Sequence, residues 1–195
     1  RDASFTAFAN KVAGIALAAR ETNAEKIAAL AFDGMSVEEA RVLLVQKLGE
    51  NIQVRRAEIV EGAALATYVH GLKIGVIVAF NKADDEISKQ VAMHVAASNP
   101  LVINAEDIPA EVLAKEQEIA AAKAAESGKP ANIVEKMVEG TLKKFKGEVS
   151  LTEQAFVIDP DQKVGAVLAK AGLTVTRFIR LEVGEGIEKK EVDFA

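Results

Sequence analysis

The sequence predicts an α+β fold in which a small antiparallel sheet is surrounded by helices and a helical hairpin projects from the body. Three observations carry this reading. The run from Gln46 to Asn81 is the only extended β-rich stretch in an otherwise helix-forming chain, with apolar segments Ile52–Val60, Leu65–Val69 and Ile74–Phe80 separated by Glu61-Gly62 and His70-Gly71. Turns this short suit antiparallel pairing, because parallel strands need crossovers of about a dozen residues or more. Far along the chain, Leu173–Val183 alternates at its centre like a strand and is assigned to the same sheet. Between them, Ile108–Phe145 holds two helix-forming runs that flank Ser127-Gly128-Lys129-Pro130.

In chain order, Phe5, Phe8, Val12 and Ala16 recur at helical spacing, which predicts a helix over Ser4–Ala19. Asn23 caps a shorter helix over Ala24–Ala31. Ser36-Val37-Glu38-Glu39 has the form of a capping box and opens a third helix to about Lys47, with Val37, Ala40, Leu44 and Leu48 on one face. After the strands, Asp84 or Asp85 caps a helix that ends at Ser98-Asn99-Pro100, since a proline disfavours helix at the residue before it. Ile87, Val91, His94 and Val95 share its inner face, so His94 reads as a core histidine.

In the hairpin, the first run is mostly Ala, Glu and Lys, while the second carries Ile133, Met137, Val138, Leu142 and Phe145 as a narrow stripe. This fits either an arm that pairs with another copy of the chain or a hairpin packed on its own domain. Lys143, Lys144 and Lys146 at its end read as a solvated helix terminus that offsets the helix dipole. Asp159-Pro160 is expected to start a short helix through Lys170 that closes at Gly172. Pairing of Leu173–Val183 with the early strands would make Ile103–Val157 an insertion emerging from the globular body.

Composition narrows the function. The 195 residues are 50% hydrophobic, ample for a packed core, and carry a net charge of -5. No arginine-rich face with interleaved aromatics occurs, so direct nucleic-acid binding is not expected. The chain holds no cysteine, which excludes disulfides and cysteine-ligated metals and fits a reducing compartment. Apolar runs such as Ile74–Phe80 are far too short to span a bilayer, and no signal peptide opens the chain. Arg1 lies just ahead of the first helix, so a processed or trimmed product is expected.

No zinc-protease, P-loop, dinucleotide or nucleophile-elbow motif is present. Gly184-Glu185-Gly186 reads as a turn, not a phosphate cradle. Ser88 and Ser98 share a helix with His94, but nothing forces an acidic partner beside them, so a hydrolase triad is weakly supported. No catalytic residue, cofactor or metal site is therefore expected. Two positions suit contact with a partner. His70 precedes Gly71 at a turn between strands, and Leu48 stands beside Gly49, where a partner can approach the backbone closely.

The dispersed motifs are more specific than any of these. They are Lys47-Leu48-Gly49-Glu50-Asn51-Ile52 followed by Arg55-Arg56, Tyr68-Val69-His70-Gly71 with Ile74-Gly75-Val76, Met93-His94-Val95-Ala96-Ala97-Ser98, Ser127-Gly128-Lys129-Pro130 with Glu135-Lys136-Met137-Val138-Glu139-Gly140, Phe145-Lys146-Gly147-Glu148-Val149-Ser150-Leu151, and Glu182-Val183-Gly184-Glu185-Gly186-Ile187-Glu188. On these, nearly the whole chain resembles the bacterial elongation factor Ts family, translation factors that act as guanine-nucleotide exchange factors for the GTPase EF-Tu. The resemblance implies small antiparallel sheets with flanking helices in two related subdomains, plus the helical hairpin as a coiled-coil arm. The expected parts are 1–61, then 62–103 with 147–195, and the arm at 104–146.

The resemblance further implies a cytoplasmic protein whose Leu48, Gly49, Glu50, Asn51, His70, Val157 and Ile158 face EF-Tu. It implies that exchange works through contact and differential affinity, with no covalent chemistry. Family members also carry, ahead of the first helix seen here, a small helical domain, two strands and a Thr-Asp-Phe-Val motif near the magnesium site. A C-terminal helix follows the point where Ala195 falls. Without these, Ile52–Val60 is expected to lack strand partners, and the chain is expected to bind EF-Tu with impaired exchange. The alternative is a dimerising or scaffold module that works through the hairpin alone.

Overall fold

The computed structural model describes residues 2–186, which fall into two units divided between Ile59 and Val60. In the first unit, α1 (Ala3–Ala19) starts at Asp2, whose carboxylate accepts the Ser4 amide, and buries Phe8, Val12 and Ala16 at four-residue spacing. Asn23 caps α2 (Ala24–Ala28), which is shorter than the expected Ala24–Ala31. The difference lies in Asp33-Gly34, where both residues have positive φ and turn Ala31–Phe32 (β1) back on Met35–Ser36 (β2). That dipeptide is a hairpin signal, and it takes Ala31 out of the helix.

Ser36 then caps α3 (Val37–Leu48) with the expected reciprocal bonds: its hydroxyl accepts the Glu39 amide while the Glu39 carboxylate accepts the Ser36 amide. Val37, Ala40 and Leu44 join Phe8, Val12, Ala16, Ile27 and Ile52 in the first core. The run Ile52–Val60 corrects the sequence reading, because no part of it is a strand. Ile52 and Val60 are buried by their side chains, yet no ladder partner lies beside this backbone among the described residues.

The second unit is built on a three-stranded antiparallel sheet of β3 (Ala64–His70), β4 (Ile74–Phe80) and β5 (Val175–Glu182), with β4 central. The long-range pairing of the last strand with the early hairpin is as expected, Ile77 standing opposite both Thr67 and Ile179. Asp84 caps α4 (Asp85–Ser98), and Asn99 ends it in the left-handed conformation just before Pro100. Val91 and Val95 of α4 pack with Val76, Val78 and Phe80 of the sheet to form the second core.

The hairpin is α5 (Ala110–Ala125) and α6 (Ala131–Val149), turned at Gly128 and restarted after Pro130. Its base is closed where Leu151 donates its amide to the Val102 carbonyl and Leu101 donates to Val149. The excursion is shorter than the Ile103–Val157 expected, since Ser150, Leu151 and Phe156 are already buried in the second unit. The last helix, α7 (Val164–Ala171), starts later than Asp159-Pro160. Asp159 instead caps a turn, its carboxylate accepting from Asp161 and Gln162 and its carbonyl from the Gln162 amide. Gly172 closes α7 as expected.

Candidate functional site

Each unit carries candidate contact residues, and each set is held by its own hydrogen bonds. In the first unit, Gly49 ends α3 with φ 69°, donating its amide to the Val45 carbonyl at 2.8 Å. A β-carbon is disfavoured in that conformation, so glycine is the natural residue here. Leu48 is partly buried against the first core, whereas Gly49, Glu50 and Asn51 are exposed. Thus Leu48 sits deeper than a rim residue, with an exposed backbone turn directly after it.

Arg41 ties down the exit of this loop. Its Nε and Nη2 grip the Glu38 carboxylate at 2.9 and 2.6 Å, and its Nη1 donates to the Ile52 carbonyl at 2.8 Å. A guanidinium supplies donors in several directions at once, so a single side chain serves both partners. The Arg41 side chain holds the Glu38 carboxyl below its ordinary range, and Glu38 in turn raises Arg41. No feature of the sequence alone singles out this latch.

In the second unit, His70 ends β3 and is exposed, with its Nδ1 3.1 Å from the Tyr68 hydroxyl. Tyr68 and His70 are two residues apart in one strand and therefore share a face. Gly71 and Leu72 both have positive φ, as tight hairpin turns with the native twist require. Val157 and Ile158 are 43% and 47% exposed, although the preceding Phe156 is buried.

That pair is anchored by His94, which is fully buried on α4 as its helical spacing foretells. The Val157 amide donates to His94 Nδ1 at 3.1 Å, and His94 Nε2 lies 2.9 Å from Gln154 Oε1. Nδ1 accepts, so the proton of the neutral ring is on Nε2 and is donated to Gln154. Gln154 Nε2 donates to the Glu148 carbonyl at 2.8 Å, which orients the amide. Both ring nitrogens are occupied, so His94 cannot serve Ser88 or Ser98 as a base, and the triad reading falls. Gln154, sixty residues away in sequence, carries no signal that could have paired it with His94.

Burial pushes the His94 ring below its usual pKa, opposed by the Gln154 bond. The unfolded ring begins to take up a proton below about pH 6.5, whereas the folded ring does so only at lower pH. The contribution of His94 to stability is therefore complete above that value and is lost as pH falls through the window beneath it. Urea unfolding of the wild type and His94→Gln at about pH 7.5 and about pH 5.5 checks this. The stability advantage of the wild type is expected to shrink at the lower pH, and a constant advantage would contradict the assignment.

Among the described residues no group of three or more His, Asp or Glu side chains could hold a metal ion, and no helix is long and apolar enough to cross a membrane. The arrangement offers exposed apolar and turn residues on fixed backbones, which suits recognition of a macromolecule.

The family model described as Elongation factor TS matches residues 1–185. The elongation factor Ts of Acinetobacter baumannii strain ATCC 17978 is 60% identical to the chain over 197 residues, covering 100% of this chain and 67% of that protein. Those of a Psychrobacter species, strain PRwf-1, and of Acinetobacter baylyi are 57% and 58% identical with the same coverage. With a match of this extent over a fold of small antiparallel sheets, flanking helices and a helical hairpin, the chain belongs to the elongation factor Ts family and is a translation elongation factor.

Proposed function

We propose that the chain is a guanine-nucleotide exchange factor for EF-Tu in the cytoplasm, acting by contact through Leu48–Asn51, His70 and the Val157–Ile158 pair. The observation that carries this reading is the family match over residues 1–185, on a chain whose one buried histidine is fully engaged in structural bonds. Exchange needs no covalent step. A factor that binds the nucleotide-free GTPase more tightly than the GDP-bound form must, by reciprocity, weaken GDP binding by the same factor. Side chains fixed by caps and buried hydrogen bonds serve this role, because little ordering entropy is then lost on binding.

Release of a fluorescent GDP analogue from EF-Tu tests the proposal. The release rate is expected to rise with chain concentration, and a rate unchanged at saturating chain would remove the exchange activity. A second reading, self-association through the hairpin, is favoured by the exposure of Ile119 and Ile133 on its two helices, at 41% and 40%. Light scattering with and without residues 110–149 separates the two. Only the scaffold reading makes all partner binding depend on the arm.

A further inference from the structure

The Val157–Ile158 pair lies in a stretch with neither helix nor strand, so its direction depends on local anchors. Phe156 supplies two: its side chain is buried with its ring 6.0 Å from that of His94, and its amide donates to the Gln162 carbonyl at 2.8 Å. The third is the Val157 amide on His94 Nδ1. That bond exists only in the Nε2–H tautomer, since a proton on Nδ1 would set two donors against each other. The tautomer is selected by Gln154, and Gln154 is oriented by the Glu148 carbonyl in the last turn of α6. A continuous chain of hydrogen bonds, buried at its His94–Gln154 centre and part-buried at either end, thus runs from the base of the arm to the exposed apolar pair.

We propose that His94 is a positioning residue for EF-Tu binding: it seats the Val157–Ile158 pair through the Val157 amide, in the tautomer set by Gln154 and the base of the arm. This rests on the EF-Tu reading above and deepens it. The side chain touches no partner; it fixes the residues that do.

Two substitutions in the full chain divide the two bonds of the ring. In His94→Asn the side-chain oxygen falls where Nδ1 was and can still accept from Val157, while the bond to Gln154 is lost. In His94→Gln the side-chain amide reaches toward Gln154, and the acceptor for Val157 is lost. The glutamine fills more of the buried space, so packing alone ranks His94→Gln at least as stable as His94→Asn. Positioning ranks affinity the other way. Binding to nucleotide-free EF-Tu is expected to stay within about threefold of wild type for His94→Asn and to weaken about tenfold or more for His94→Gln. Hydrogen exchange at the Val157 amide should remain slow in the first variant and become fast in the second. The wild-type imidazole nitrogen shifts should report the Nε2–H tautomer.

Equal affinities in the two variants, or an Nδ1–H tautomer in the wild type, would overturn the proposal. If His94→Gln does not fold, Gln154→Met decides, because it keeps the ring and removes the group that selects its tautomer. A shift toward Nδ1–H with weaker binding supports positioning, and unchanged tautomer and affinity overturn it. Absence of wild-type binding would instead overturn the EF-Tu reading itself, and the positioning role with it.

Discussion

Replacing Phe80 with alanine is expected to destabilise the second unit by about 3–5 kcal/mol, the usual cost of deleting a fully buried aromatic ring. Phe80 is 0% exposed and ends the central strand, with Ala64 opposite it on β3 and Val175 on β5. A register irregularity falls between Ala79 and Phe80, so the ring fills the core where the ladder to β5 is least regular. No neighbouring strand can close the space without breaking pairing on both sides. Hydrogen exchange at the amides of β4 and α4 measures the loss directly. A change below about 1 kcal/mol would mean that the site collapses around the missing ring, contrary to the packing described.

Converting Val157 and Ile158 together to aspartate is expected to leave folding nearly unchanged and to weaken EF-Tu binding about a hundredfold or more, the effect of losing a central apolar anchor at an interface. Both residues are a little under half exposed, enough for an aspartate carboxylate at either position to reach water instead of being buried in the free protein. The backbone bonds that seat them, Val157 to His94 and Phe156 to Gln162, do not involve the altered side chains. Leu101→Asp is the control, since Leu101 is 53% exposed in the same unit and is not among the contact residues. Equal loss from the control and the double substitution would show a general effect of surface charge, and no loss would remove the pair from the interface.

The parts of this fold legible in the sequence are those fixed by local chemistry. Ser36 and Glu39 satisfy each other's amides within one turn, Asn23 and Asp84 cap their helices, and Gly128-Lys129-Pro130 stops one helix and starts the next, so each boundary is written where it occurs. The pairing of β4 with β5 was legible too, because Leu173–Val183 reads as a strand and needs a partner sheet. The strand expected at Ile52–Val60 was not realised for a matching reason. β-Propensity measures fit to a pleated surface, and that surface must be supplied by another strand. At Asp159-Pro160 the aspartate capped a turn instead of a helix, and both outcomes use the same carboxylate–amide bond.

The candidate contact residues divide along the same line. Gly49 and His70 were visible because each stands at a chain reversal. Val157 and Ile158 entered only through the family resemblance, since two aliphatic residues after a phenylalanine look like ordinary core. Their exposure is a tertiary property that follows from Phe156 turning inward and His94 holding the next amide. Arg41 and Gln154 were invisible for the same reason, each being important for the backbone group it happens to meet in space.

The proposed exchange role requires that the chain recognise EF-Tu according to its nucleotide state. The most direct measurement is the affinity of the chain for EF-Tu prepared without nucleotide and for EF-Tu saturated with GDP and magnesium. Binding at least about tenfold tighter to the nucleotide-free form, a coupling of about 1.4 kcal/mol or more, is the predicted result. Equal affinity for the two forms would contradict the account, because a factor that binds both states alike cannot shift the equilibrium between them.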